Sequence, residues 1–64
     1  MRFHIENMTC GHCVRTITRA VQALAPDASV RIDLASKSAD IEAPLSTAQI
    51  VAAIEGEGYP TTPA

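Results

Sequence analysis

Met8-Thr9-Cys10-Gly11-His12-Cys13 is the segment of this 64-residue chain best equipped to do chemistry. Its cysteines are the only two present and stand three positions apart, where a strand pattern gives way to an amphipathic helix pattern. With the first thiol on a loop and the second in the first helical turn, both can be aimed at one small target. The N–H groups of a helix start and the positive end of its dipole surround them, so thiolate is favoured and a cysteine pKa of about 8.5 is expected to fall. Such a pair binds a soft metal ion or exchanges with a disulfide. It cannot staple the fold, because closing so short a loop constrains the unfolded chain very little.

Other side chains near this segment each carry two readings. Met8 offers a soft thioether, but the strand alternation points it inward as a plug beneath the loop. His12 is a third ligand or tuning group, or an exposed loop side chain. Arg15 and Arg19 lie on the polar side of the helix near the thiols, as a docking face or as a solvated surface. His4 reads as an exposed strand residue.

The elements that must position these groups are legible from periodicity. Phe3 and Ile5 alternate with His4 and Glu6, a half-buried strand over residues 2 to 6. Val14, Ile17, Val21 and Leu24, with Ala20 beside them, recur at spacings of three and four and predict a helix over residues 12 to 24, ended by Pro26-Asp27. Ala28, Val30, Ile32 and Leu34 form a second alternating strand. After the polar turn Ser36-Lys37-Ser38, Ala39 and Ile41 form a third, so the pair is a hairpin. Ser46 and Gln49 spell a capping box, with Leu45 and Ile50 as a hydrophobic staple, so a second helix starts there. Ile50, Ala53 and Ile54 are its buried stripe, and Gly56 or Gly58 ends it. Tyr59 to Thr62 is a short last strand or an extended tail, and Pro60 is tolerated only at a sheet edge. This order predicts an α+β, ferredoxin-like βαββαβ sandwich: a four-stranded antiparallel sheet with two helices on one face.

Composition bounds the rest. At 64 residues we expect one domain over residues 1–64, and 47% hydrophobic residues is too many for disorder. A net charge of −2 and only two aromatics, Phe3 and Tyr59, argue against nucleic acid. The longest apolar run, Ile50 to Ile54, is too short to span a bilayer, and the first residues lack a signal peptide's apolar stretch. We therefore expect a cytoplasmic protein without membrane insertion, its thiols kept reduced.

Met8-Thr9-Cys10 and Cys13, the stripe Val14, Ile17, Ala20, Val21 and Leu24, the pattern Val30, Ile32 and Leu34 with Lys37 in the turn, and Ala53-Ile54-Glu55 followed by Gly58-Tyr59 together resemble the heavy-metal-associated domain family, most closely its small bacterial copper chaperones. The resemblance covers almost the whole chain. Two departures stand out: Asn7 precedes Met8 where the family usually has glycine, and the last strand is short and carries Pro60 and Pro63. They bear on the loop backbone and the last strand rather than on the thiols.

The resemblance implies Cu(I) held by Cys10 and Cys13, with Thr9 standing where zinc-carrying relatives place an Asp. It implies delivery by ligand exchange, not enzymatic catalysis, to the N-terminal domain or entry platform of a copper-exporting P-type ATPase or to a copper-sensing repressor, with Arg15 and Arg19 at the docking face. Two such sites face to face can share copper through four thiolates, as a copper-bridged homodimer. Tyr59 resembles the family's loop tyrosine, whose hydroxyl can hydrogen-bond a thiolate; the alternative is a ring capping the core edge. The chemistry agrees independently. Cu(I) is soft and accepts two or three ligands, whereas structural zinc wants four. From another class, a thiol–disulfide oxidoreductase also uses Cys-Gly-His-Cys, but it calls for a longer thioredoxin-like chain and an aromatic residue in place of Thr9. A mercury-binding relative would be periplasmic and carry a signal peptide, and Met1 leads us to expect a free-standing domain rather than a sensor module detached from an ATPase.

Overall fold

A computed structural model describes all 64 residues. The elements run β1 (Arg2–Ile5), α1 (Gly11–Leu24), β2 (Ser29–Asp33), β3 (Ser38–Glu42), α2 (Thr47–Glu55) and β4 (Thr61–Pro63). The strands form one antiparallel sheet in the order β2-β3-β1-β4, so the expected ferredoxin-like βαββαβ sandwich is what the chain adopts.

Alternation builds the core from below. Phe3 and Ile5 of β1 and Ala39 and Ile41 of β3 turn to the helix side, while Ile17, Val21, Ile50 and Ile54 come down from α1 and α2; all are buried. Val30, Ile32 and Leu34 pack against this core only partly, because β2 is an edge strand with a neighbour on one side alone. No helix is long and apolar enough to cross a membrane.

Local signals set the element ends. The Ser46 hydroxyl accepts the Gln49 N–H at 3.1 Å and the Gln49 side chain accepts the Ser46 N–H at 2.8 Å, so the capping box is complete. Gly56 caps α2 in a right-handed conformation, and Gly58 then takes φ +93°, which a Cβ would disfavour. Three expectations need correction. Leu24 is 55% exposed, because α1 ends there and Ala25 and Ala28 fill the core instead. Val14 and Ala20 are only half-buried, the fully buried stripe of α1 being Cys13, Ile17 and Val21. The helix also begins at Gly11, one residue before the expected start.

The last strand is real but only three residues long. The Glu6 N–H donates to the Pro60 carbonyl at 2.8 Å and the Ala64 N–H to the Arg2 carbonyl at 2.9 Å. Even-numbered residues of β4 therefore bond β1, and Pro63, paired with Phe3, sits where an N–H would point away from the sheet.

Candidate metal centre

The loop between β1 and α1 turns at Asn7, whose φ of +66° is left-handed. Asparagine is among the few side chains that tolerate this region, so it can stand where glycine is usual. Met8 follows, 1% exposed and part of the core, so its sulfur plugs the loop from beneath. Thr9 and Cys10 emerge at the surface, and Cys10 is the N-cap of α1 in an extended conformation.

Cys10 has no side-chain oxygen to cap the helix and makes no capping hydrogen bond. Its carbonyl instead accepts the N–H groups of Cys13 at 3.0 Å and Val14 at 3.3 Å. Cys13 lies one turn in, 6% exposed, four residues before Ile17 and eight before Val21 on the buried stripe. The thiols thus differ: Cys10 is exposed, and Cys13 is anchored in the core. Their sulfurs stand 3.8 Å apart as free thiols, and the Cys13 Sγ–H faces the Asn7 carbonyl at 4.0 Å.

The electrostatics favour ionisation of Cys13. Its pKa drops from an ordinary 9.0 to about 6, chiefly because the Tyr59 hydroxyl donates to the sulfur, then through the backbone N–H groups of Thr9 and Cys10 and the Cys10 side chain; partial burial opposes the shift. Tyr59 in turn is pushed above its ordinary 10.0, because its proton is held by the Cys13 sulfur. The turn through Gly58 precedes this half-buried ring, which packs on the core with its hydroxyl close enough to Cys13 to shift both groups.

His12 is exposed on the first turn of α1, and its carbonyl accepts the Thr16 hydroxyl at 3.0 Å. No three His, Cys, Asp or Glu side chains converge anywhere in the molecule, so the sulfur pair stands without a third ligand of these types. Arg15 and Arg19 are exposed along α1, and Arg19 shares an open groove with Thr16, Ala20, Ala23 and Glu57. A larger concavity of about 570 Å³ lies on the open face of the sheet, around Arg2, Arg31 and Asp40, away from the thiols. Sequence reasoning passed over two contributions to this site. One is the Asn7 carbonyl, signalled only by an Asn in a glycine position. The other is the place of Cys13 in the buried stripe, signalled by its spacing of four from Ile17.

Comparison with known proteins finds relatives over nearly the whole chain. The family model for the heavy-metal-associated domain matches residues 2–60. Copper-transporting ATPase 1 of Rhizobium meliloti (strain 1021) is 40% identical over 60 residues, which is 89% of this chain and 7% of the ATPase, so the chain spans a small fraction of that relative. The crystal structure of a gold binding protein superposes with a TM-score of 0.95 at 41% identity, covering 100% of this chain and 98% of that one. Copper chaperone Atx1 from Synechocystis PCC6803 superposes with a TM-score of 0.93 at 29% identity, covering 97% of this chain and 98% of that one.

Proposed function

The chain belongs to the heavy-metal-associated domain family, and from that premise we propose that it is a copper chaperone, a carrier rather than an enzyme, that holds Cu(I) between Cys10 and Cys13. The observation that carries this reading is the pair of thiols 3.8 Å apart with no converging third ligand. Thiolates select soft ions, and a two-coordinate site suits Cu(I), whereas structural zinc is left two ligands short. The lowered Cys13 pKa keeps one donor ionised near neutral pH.

The asymmetry of the thiols supports transfer by ligand exchange. Cys13 is held by the core while Cys10 is exposed, so an incoming thiolate can approach the ion from the Cys10 side and pass through three-coordinate intermediates. Met8 supports the loop from below, Thr9 contributes a backbone donor, Tyr59 tunes Cys13, and His12 lies at the rim. In this reading the chain works in the cytoplasm, and its partner is the N-terminal domain or entry platform of a copper-transporting P-type ATPase, supported by the likeness to such an ATPase, or a copper-sensing repressor. A face-to-face pair of chains sharing copper through four thiolates is a further state of the same site. The oxidoreductase alternative expects a thioredoxin-like frame, which this sheet is not.

Anaerobic titration of the reduced protein with Cu(I) against a competing chelator, followed by native mass measurement, tests the proposal. One tightly held Cu(I) per chain is expected, with Zn(II) bound far more weakly. Cys10→Ser and Cys13→Ser should each abolish tight binding. High-affinity Cu(I) retained by either variant would overturn the two-thiolate assignment. Because a gold binding protein is similar over the full chain, parallel titration with Au(I), equally soft, decides whether copper is the preferred cargo.

A further inference from the structure

The sheet has two edges, and only one is closed. On β4, Pro60 and Pro63 lack N–H groups, and the outward N–H of Thr61 donates to the Glu55 carboxylate at 3.2 Å. On β2, residues Ser29–Asp33 contain no proline and nothing covers them. The Ile41 N–H donates to the Met1 carbonyl at 2.7 Å and the Ile5 N–H to the Lys37 carbonyl at 2.9 Å, so odd-numbered residues of β3 bond β1. Even-numbered residues of β3 then bond their β2 partners Ser29, Arg31 and Asp33, and the backbone groups of Val30 and Ile32 point away from the sheet.

We propose that this open edge pairs with a second copy of the chain, β2 against β2 in antiparallel register centred on Ile32. In that register Ile32 exchanges both backbone hydrogen bonds with its symmetry mate, Val30 lies opposite the other copy's Leu34, and each Arg31 lies opposite the other copy's Asp33. A centre on Arg31 sets Arg31 against itself, and a one-residue slip turns the half-buried Val30, Ile32 and Leu34 to the polar face. The charges therefore select one register. Neither Arg31 nor Asp33 is in an ion pair within the chain; Asp33 Oδ1 accepts the Ala35 N–H at 3.0 Å, which leaves Oδ2 for Arg31 of the other copy. The prolines of β4 prevent β2 from pairing with β4 of another copy, so the association closes as a two-fold dimer instead of growing into a filament.

The dimer is an eight-stranded sheet with all four helices on one face. The thiol loop lies at the end of the sheet where β2 finishes, and the two copies run antiparallel, so the two metal centres lie at opposite ends and cannot share one ion. This assembly is thus independent of metal and distinct from a copper-bridged pair. Five residues of edge make a small interface, below the roughly 1,000 Å² of a stable complex, so the dimer is weak and concentration-dependent.

Sedimentation of the reduced, chelator-treated protein from micromolar to millimolar concentration tests this, with amide NMR shifts followed on dilution. Reversible dimerisation is expected, with the largest shifts at Val30 and Ile32, and it should persist in the Cys10→Ser/Cys13→Ser double variant. Arg31→Asp or Asp33→Arg alone should abolish it by placing like charges opposite each other, and the two together should restore it. Restoration separates the interface from any effect within one chain, because Asp at 31 stands beside Asp40 in both the single and the double variant. Should Arg31→Asp fail to fold, Asp33→Arg carries the test, since residue 33 faces only Ser38 across the sheet. A monomer at all concentrations, a dimer lost with the thiols, or a dimer indifferent to both reversals would each overturn the proposal.

Discussion

Cys13 is at once a core residue and, in the proposed site, a thiolate donor, and these two roles pull its pKa in opposite directions. Burial raises it, but the Tyr59 hydroxyl and the backbone N–H groups of the loop lower it to about 6. Because the folded value lies below the ordinary 9.0, the ionised thiol stabilises the metal-free protein. That contribution is fully present above about pH 9 and is lost as pH falls through about 6. Tyr59→Phe removes the largest of the causes, so the Cys13 pKa should move back up and the rise of stability between pH 6 and 9 should flatten. Thiolate absorbance and alkylation rate against pH measure the first effect, and chemical denaturation across the same range measures the second. A Cys13 titration unchanged in Tyr59→Phe would return the ring to a packing role alone. The thiol pair was legible from spacing, and lowered ionisation was foreseen from the helix start. The main cause, Tyr59, came only through the family resemblance and not from spacing, since it lies 46 positions away and only the fold brings it to the sulfur.

The helix α2 and the Asn7 loop show what local sequence can and cannot convey. The capping box was readable because Ser46 and Gln49 satisfy each other's backbone groups within one turn, whatever the rest of the chain does. Ser46→Ala should therefore cost about 1 kcal/mol of stability, read as a lower urea midpoint with an unchanged slope. Asn7 makes a sharper case. Its left-handed backbone admits glycine without strain, so Asn7→Gly should leave stability and metal affinity near those of the parent, whereas Asn7→Val should cost roughly 1–2 kcal/mol and loosen the loop that carries Cys10. Equal stability of the two variants would mean that the loop relaxes out of this conformation. By contrast, the exposure of Leu24 was not legible, because the helical wheel does not say where the helix runs beyond the sheet it covers. The place of Pro63 was hidden for a similar reason: a proline fits only where its missing N–H faces outward, and that depends on pairing with β1.

At the scale of the whole molecule, delivery of a metal ion requires a partner to reach a site that sits at one end of the fold. The first helix begins there, so its exposed side borders any docked chain, and Arg15 and Arg19 are its only permanent cations on a protein of net charge −2. A local positive face on an otherwise acidic molecule suits an acidic acceptor and speeds encounter more than it adds affinity. Reversing both, Arg15→Glu with Arg19→Glu, should slow copper delivery to the acceptor domain at low salt. The gap to the parent should close as added salt screens the charges over the Debye length, about 10 Å at 0.1 M. Affinity for Cu(I) itself should be unchanged, because neither guanidinium ligates the ion. Arg2 provides the comparison within the same molecule: it opens β1, at the end of the sheet opposite the thiol loop, so Arg2→Glu should slow delivery less than the α1 reversal. Unchanged delivery by the α1 variant would move the docking face to the surface around Glu57 and Tyr59, on the other side of the groove that Arg19 lines.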